Sequence, residues 1–418
     1  MKLKALVLAC ALAFAPAAQA QPATPSPRET VAEIATAIRD RYFSEERADA
    51  IADALEAEAA AGRYDAFTDP RDLAQALSVR LRPEDAHFNV SYDPNAPRQG
   101  GPGGPGPGPR VDRDRLANYG FRSVQILPGN IGFIDMAYFA NIDFSNPNDP
   151  ARRAADAALA FVSGADAVIF DVRNNGGGAP SMVGFLSSAF TPAGADIYNT
   201  FHERNGTASE APGAYYATPR LEVPLYILTS GRTGSAAEAF PYTLQAAGRA
   251  TIVGETTGGA ANPGGPVPVP GGFRIFISDG SPVNPITGRN WEGTGVIPDV
   301  PVSWDEALVR AQVLALGRID SEPARWALAA LTAAPSGLTL ADYAGAYGAT
   351  TLTVEGDRLA SRRDRRPPVM LAPLEADVFY VVGDPSTRYA FERDASGRVI
   401  AVEMRGVFGP GPRLRRTD

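Results

Sequence analysis

The sequence predicts an α/β core between a helical N-terminal unit and a small antiparallel β domain at the end of the chain. Three patterns support this. Apolar residues follow a helical period over residues 26–92, strand-like runs alternate with helix-like segments over residues 111–318, and short strands separated by turns fill residues 338–418. Such alternation in the middle segment indicates an α/β core.

Residues 1–20 have the pattern of a secretory signal peptide. Lys2 and Lys4 form a basic tip, an apolar run follows, and Ala18-Gln19-Ala20 resembles a cleavage site before Gln21. The apolar run is too short to span a membrane, and no later run reaches that length. We therefore expect an exported protein, periplasmic or extracellular, with no stable membrane insertion.

The composition restricts the chemistry. The only cysteine is Cys10, which cleavage would remove together with both lysines, and the formal net charge of the chain is −8. An acidic chain without a basic run is not expected to bind nucleic acid, and nothing indicates a cofactor or a metal site. If covalent catalysis occurs, its nucleophile is a hydroxyl and its base is a carboxylate or one of the two histidines, His87 and His202.

The N-terminal unit, residues 26–92, is predicted to be a three-helix bundle. Ser26-Pro27-Arg28-Glu29 has the spacing of a capping box, Ser44 begins a second helix, and Asp69-Pro70 begins a third. Residues 93–110 are almost wholly Pro and Gly, which indicates a linker or surface loop. A spacer is the simpler interpretation of this segment, and a flap over a cleft is the alternative.

The core and the tail contain separate sets of predicted elements. In the core, a helix is expected over Pro150 to Val162, another after Ser235, and a capped one from Ser303; the strands are Gly132 to Met136, Ala167 to Val172, Leu225 to Leu228 and Ala250 to Val253. The predicted strands of the tail are Leu352 to Val354, Val378 to Val382, Tyr389 to Phe391 and Val399 to Val402. No catalytic or binding motif is recognisable in the sequence of the tail.

Ser235 lies at a predicted turn between a buried strand and a helix. Backbone N–H groups at such a turn favour an anion, so a nucleophilic hydroxyl and an oxyanion hole can be built there together. Taken alone, an ordinary helix N-cap is the commoner role of such a serine.

A glycine-rich loop, Asp171 to Gly178, directly follows another predicted strand. Its three consecutive glycines allow the backbone to turn N–H groups towards a ligand, which favours an anion-binding loop over a merely flexible turn. It lacks the Lys and Ser/Thr of a phosphate-binding loop, so a nucleotide is not expected.

His87 is the better candidate for a general base. It lies where the helical unit gives way to a strand-like run, whereas His202 sits beside charged residues in a probable exposed strand. Glu292, in the polar turn Trp291 to Asp299, has a carboxylate that could orient a histidine, although most acidic residues in turns are merely solvated.

Together these motifs resemble the tail-specific, or C-terminal processing, serine peptidases, in the branch that includes the tricorn core protease and the interphotoreceptor retinoid-binding protein repeats. The resemblance covers about residues 26–318 and includes Asp85-Ala86-His87, the glycine loop, the Ser235 segment and the Glu292 turn. It implies a crotonase-like core, with Ser235 as nucleophile, His87 as base and Glu292 as the orienting carboxylate. It also implies an oxyanion hole formed by the N–H groups of Gly177 and Ala236.

Four departures from the family pattern affect this expectation. Ala260 stands where the Ser–Lys members carry their lysine, so the resemblance implies a histidine base; Ala86 replaces the serine of the tricorn motif, and Asn262 a histidine found in many relatives. No PDZ insertion is recognisable. We expect a serine peptidase acting on peptides or unfolded protein tails; a ligand carrier on the same fold and an esterase remain alternatives.

Overall fold

The structure is a computed structural model, and it describes residues 25–93, 112–334 and 337–418. The predicted signal peptide and all but Asp93 of the predicted linker lie outside these residues. The helices are α1 (Pro27–Arg41), α2 (Glu45–Ala60), α3 (Pro70–Leu81), α4 (Arg113–Leu116), α5 (Pro150–Phe161), α6 (Pro180–Ser188), α7 (Ala236–Ala246), α8 (Ala307–Leu316) and α9 (Glu322–Thr332).

Twelve strands lie in the first three quarters of the described chain, and eight lie in its last part. The first set is β1 (Asn89–Tyr92), β2 (Phe121–Leu127), β3 (Ile131–Met136), β4 (Ala167–Asp171), β5 (Thr200–Glu203), β6 (Gly206–Ser209), β7 (Leu225–Thr229), β8 (Thr251–Gly254), β9 (Gly264–Val269), β10 (Phe273–Ser278), β11 (Gly280–Val283) and β12 (Val300–Pro301). The second is β13 (Gly345–Tyr347), β14 (Thr350–Glu355), β15 (Arg358–Arg363), β16 (Val369–Glu375), β17 (Val378–Val381), β18 (Asp384–Arg393), β19 (Val399–Gly406) and β20 (Gly409–Arg415).

The chain divides into two compact units. The described part of the first unit consists of residues 25–84, 88–93 and 266–277; the second unit contains residues 85–87, the described residues between 112 and 265, and those from 278 to 418. Each candidate site residue named from the sequence lies in the second unit.

The first unit packs three helices with a three-stranded sheet. The predicted capping box is confirmed, because the Ser26 N–H donates to Glu29 Oε2 (2.8 Å) and the Glu29 N–H to Ser26 Oγ (3.3 Å). Its apolar core takes residues from α1, α2 and α3 and also from β10, including Phe273 and Ile275. The sheet has the order β1-β10-β9. The hairpin formed by β9 and β10 was not predicted to pack with the helices.

The second unit is built on a six-stranded sheet with the order β12-β8-β7-β4-β3-β2. All neighbouring strands are parallel except β2, which is antiparallel to β3. Apolar residues of α5, α6 and α7 pack in one core cluster with the sheet, and those of α8 and α9 pack in another. Since the central strands β4 and β7 are buried on both faces, the predicted α/β architecture is confirmed.

The topology brings the ends of β4 and β7 side by side. These strands are parallel neighbours, with Asp171 in register with Leu228. The loops that follow them therefore leave the same edge of the sheet, where ligands usually bind in α/β proteins. One is the glycine-rich loop, and the other contains Ser235.

The last part of the chain forms an antiparallel sheet of eight strands that pair in sequence order from β13 to β20. The Thr417 N–H donates to the Ala346 carbonyl (2.8 Å), which brings the chain end back beside β13 and nearly closes a barrel. The predicted antiparallel sheet is confirmed, but the sequence pattern revealed only four of its strands.

One helix begins later than predicted. Ser303 was expected to cap α8, yet the Ser303 hydroxyl donates to Glu306 Oε2 (2.7 Å) and the helix begins at Ala307. In the described part of the protein, no helix combines the length and apolar character needed to cross a bilayer.

Candidate active site

Ser235 adopts a backbone conformation that is rare for a residue with a side chain. It joins the turn after β7 to the first residue of α7 with φ 54° and ψ −127°. This combination normally requires glycine, and holding another residue there costs about 1–3 kcal/mol. A serine in a strained turn between strand and helix is typical of an exposed nucleophile.

The turn is fastened to the loop that follows β4. Ser230 Oγ donates to the Arg173 carbonyl (2.6 Å), Thr233 Oγ1 donates to the Val172 carbonyl (2.9 Å), and the Gly234 N–H donates to the Asn175 carbonyl (3.1 Å). The two loops therefore form one hydrogen-bonded unit at the sheet edge.

Gly177 lies directly against Ser235. It has φ +124°, and a Cβ placed on it would lie 2.8 Å from Ser235 Cβ and 3.2 Å from Ser235 Oγ. At Gly178, which has φ +141°, an added Cβ would lie 2.0 Å from the Phe139 carbonyl oxygen. Both positions thus require glycine, for conformation and for space.

The two N–H groups expected to form the oxyanion hole differ in their bonding. The Gly177 N–H donates to Asn175 Oδ1 (2.9 Å), so it is engaged inside its own loop. For the Ala236 N–H, at the first position of α7, no acceptor is found within the described ranges. Asn175 is fully buried, and its Nδ2 has no hydrogen-bond partner among the described residues.

His87 lies against two carboxylates. Its Nδ1 is 3.3 Å from Asp85 Oδ1 and 3.4 Å from Glu292 Oε1. Asp85 Oδ1 also accepts the His87 backbone N–H (2.9 Å), and Asp85 Oδ2 accepts from Asn262 Nδ2 (3.2 Å). Both carboxylates face the same ring nitrogen, which fixes Nδ1 as the donor and leaves Nε2 as the atom for proton transfer.

The carboxylates control the charge of the ring. Burial disfavours the imidazolium, but the contacts with Asp85 and Glu292 outweigh burial and raise the pKa of His87 to about 9. Burial would raise the pKa of Asp85, and the opposing contacts with His87 are the main reason that it falls to about 2. In the resting site, His87 is therefore protonated at neutral pH.

Glu238 connects the nucleophile turn to the loop after β8. This carboxylate is fully buried. Its Oε2 accepts the N–H groups of Ser235 (2.8 Å) and Ala260 (2.9 Å). Its Oε1 accepts the Gly259 N–H (2.7 Å) and the Thr257 hydroxyl. Glu238 thus holds the strained Ser235 in place.

Glu292 also accepts backbone N–H groups of the loop after β8. Its Oε2 accepts the N–H groups of Ala261 (2.7 Å) and Asn262 (3.0 Å). The segment 259–262, here called the strap, therefore gives four consecutive backbone amides to two carboxylates. One carboxylate holds Ser235, and the other contacts His87.

The residues named from the sequence fall into two groups that the strap joins. Ser235, Ala236 and Gly177 form the first group, and His87 and Glu292 the second. His202 is exposed in β5, and it makes none of the hydrogen bonds described for either group. Ala260, the position of the lysine in the Ser–Lys relatives, contributes its backbone N–H to the strap.

Two residues with direct roles in this geometry were not assigned from the sequence. Asp85 has no predicted role beyond its place in the Asp85-Ala86-His87 motif, and Glu238 has no predicted role. Signals existed for both. Asp85 precedes His87 by two residues, a spacing at which a carboxylate accepts the N–H of the later residue, and Ser235 to Glu238 has capping-box spacing.

The sequence profile of peptidase family S41 matches residues 130–302. Over these residues the chain is similar to the S41 peptidases. This places it among the serine peptidases, whose substrates are peptides or proteins, and supports the tail-specific family expected from the motifs. The matched range contains the glycine loop, Ser235, Glu238 and Glu292, whereas Asp85 and His87 precede it.

Several solved structures are similar to this chain over most of their length. A candidate peptidase from Parabacteroides merdae has 19% identity and a TM-score of 0.49, with 71% of this chain and 98% of that chain covered. A lipoprotein from Streptococcus agalactiae has 16% identity and a TM-score of 0.46, covering 72% and 100%. The photosystem II D1 C-terminal processing protease has 18% identity and a TM-score of 0.42, covering 67% and 94%.

Proposed function

We propose that this protein is an exported serine peptidase in which Ser235 is the nucleophile and His87 its general base. The observation that carries the proposal is the strained conformation of Ser235, at φ 54° and ψ −127°, beside the glycine loop. Strain of this kind is maintained where the surrounding structure enforces it, and Glu238 supplies that enforcement.

The proposed reaction begins when neutral His87 accepts the Ser235 hydroxyl proton at Nε2. Ser235 Oγ bonds to the substrate carbonyl carbon, and the proton then passes from His87 to the leaving amine nitrogen as the C–N bond breaks. Water repeats the sequence on the acyl-enzyme and releases the acid. Asp85 and Glu292 orient the ring through Nδ1 and stabilise the imidazolium that forms.

The oxyanion would be held by the N–H groups of Ala236 and Gly177. The first is already at the helix N-terminus, where the helix dipole favours negative charge. The second must leave Asn175 Oδ1, so we infer that substrate binding rearranges this loop. One such donor is worth about 3 kcal/mol of barrier, so the rearrangement affects the rate strongly.

We also infer a crotonase-like arrangement for the core. A mainly parallel sheet, with the nucleophile on the turn after β7 and the glycine loop after the adjacent β4, supports it.

Active-site labelling tests the assignment of the nucleophile and base. A fluorophosphonate probe should modify purified protein once per chain, and peptide mapping should find the adduct on Ser235. Ser235→Ala should abolish labelling and cleavage of a peptide library, and His87→Ala should reduce both by about a thousandfold.

Matched controls make this test specific. Ser209→Ala and His202→Ala change an exposed serine and an exposed histidine of the small sheet formed by β11, β5 and β6, and both should retain full activity. Folded wild-type protein that resists the probe, cleaves nothing and binds an apolar ligand tightly would instead support a carrier.

Export is tested separately. The pattern of residues 1–20 supports cleavage before Gln21. Terminal sequencing of the protein recovered from the periplasm or medium should begin at Gln21, and retention of the full N-terminus inside the cell would contradict the proposal.

A further inference from the structure

We propose that Asp85, His87 and Glu292 form a binding site for a zinc-like divalent cation, and that the bound ion inhibits the peptidase. One oxygen or nitrogen from each of these residues lies within 4.8 Å of the other two. Of the described residues, only these bring three potential histidine or carboxylate ligands so close together. A histidine and two carboxylates are a donor set that Zn²⁺ accepts.

Two of the three spacings in the cluster suit a tetrahedral ion. Zn–N and Zn–O bonds of about 2.0–2.2 Å place neighbouring ligand atoms about 3.3–3.5 Å apart. His87 Nδ1 is 3.3 Å from Asp85 Oδ1 and 3.4 Å from Glu292 Oε1. Charge-assisted hydrogen bonds are shorter, about 2.7–2.9 Å. These two distances are thus closer to those between ligands of one ion than to those of optimised hydrogen bonds.

An unsatisfied oxygen beside the cluster is an independent sign of a missing ligand. Asn262 is only 6% exposed, and its Oδ1 has no hydrogen-bond partner in the described part of the chain. The same amide group contacts Asp85 through Nδ2, and the Asn262 N–H binds Glu292. Buried polar atoms are rarely left without partners.

Two further features favour a cation here. The other oxygens of both carboxylates are already fixed, Glu292 Oε2 by the strap amides and Asp85 Oδ2 by Asn262, so the ligand atoms are held in place. Such supporting hydrogen bonds strengthen metal sites. The fourth position would be taken by water or by Asn262 Oδ1.

Inhibition would follow from the tautomer of His87. A cation on Nδ1 displaces the proton there, so the neutral ring carries its hydrogen on Nε2. Nε2 then cannot accept the Ser235 proton. This step depends on the proposed function, whereas binding of the ion does not.

Binding is measured on tag-free protein carrying Ser235→Ala, which removes the proposed nucleophile but no proposed ligand. Calorimetry with ZnCl₂ at constant pH should give one ion per chain. His87→Ala added to this background should weaken binding at least a hundredfold, and Glu292→Gln about tenfold or more. The matched control is His202→Ala, because His202 is the only other histidine; it should not change binding. Co²⁺ should give the visible absorption bands of a tetrahedral site.

Activity is measured on the wild-type protein. Zn²⁺ should lower kcat with KM unchanged, because the ion sits on the side of the ring away from substrate, and EDTA should restore the rate. Mg²⁺, which requires octahedral oxygen coordination, should have no effect.

The outcomes separate the two proposals. Absence of one-site binding, or binding that survives His87→Ala, overturns the metal site. Binding with inhibition that is competitive with substrate overturns the tautomer mechanism. Stoichiometric binding to a protein that shows no hydrolysis or probe labelling leaves the metal site standing and refutes the peptidase assignment.

Discussion

Glu210 should make the second unit less stable as the pH rises, and Glu210→Gln should remove that effect. Glu210 is 1% exposed. Asn199 Nδ2 (2.9 Å) and Thr243 Oγ1 (3.0 Å) both donate to its Oε2. Burial outweighs these bonds and raises the pKa of Glu210 from 4.5 to about 7.

The size of the stability change follows from the linkage between proton binding and folding. Between pH 4.5 and 7 the unfolded chain loses the Glu210 proton while the folded protein keeps it, so the free energy of unfolding falls as pH rises. Above pH 7 both states are ionised, and the full loss is about 3 kcal/mol, since one pKa unit corresponds to about 1.4 kcal/mol. A neutral glutamine avoids this cost. It resembles protonated Glu210 in shape, so the two proteins should differ in stability by less than about 1 kcal/mol at pH 5.

Urea unfolding at pH 5, 7 and 9, followed by tryptophan fluorescence, measures the effect. All three tryptophans, Trp291, Trp304 and Trp326, belong to the second unit. The matched control is Glu203→Gln, an exposed glutamate of the neighbouring strand β5. A stability difference between Glu210→Gln and wild type that stays the same from pH 5 to pH 9 would refute the reasoning.

Three further predictions concern the site. Because the pKa of His87 is raised to about 9, kcat/KM should rise about tenfold per pH unit up to pH 9; Glu292→Gln should move the midpoint to lower pH, and a flat profile from pH 6 to 9 would contradict this. Glu238→Gln loses an acceptor for the Ser235 N–H, so probe labelling should slow about a hundredfold while circular dichroism is unchanged; an unaltered rate would show that Ser235 needs no such support. Gly177→Ala introduces a contact of 2.8 Å with Ser235 Cβ and a strained φ, so labelling should be lost, whereas Gly164→Ala, which meets nothing within 4 Å, should label normally.

Local signals in the sequence were sufficient for most helices and for the central strands. The capping box at Ser26 and the Asp69-Pro70 start of α3 depend on contacts within a few residues, and the structure has both. The start of α8 was wrong because Ser303 bonds to a side chain instead of the backbone, a choice that spacing does not reveal.

Features that depend on distant pairing were missed. β1 pairs with β10, with Asn89 opposite Phe276, and no sequence period links segments so far apart. In the tail, β15 and β20 carry several arginines, glycines or prolines, so they lack the alternation that identifies strands.

The same limit applies to the site. Ser235, His87, Glu292, Gly177 and Ala236 were named because motifs contain them. Capping-box spacing could have indicated the bond from the Ser235 N–H to Glu238, but not the contacts of Glu238 with backbone amides of a loop more than twenty residues further along the chain. The engagement of the Gly177 N–H by Asn175 is likewise a property of the folded loop.

The strap contacts both carboxylates through its main chain alone. Its four N–H groups hold the carboxylates of Glu238 and Glu292 without the help of a strap side chain, and the next residue, Pro263, has no N–H to donate. Gly259 has φ +79°, Ala261 is buried and the Asn262 side chain binds Asp85, so only the partly exposed Ala260 can exchange its side chain freely. Proline at any of the four positions would remove one of these bonds. A lysine introduced at Ala260 would leave every one of these bonds intact, so one framework can exchange an imidazole for an amine without being rebuilt.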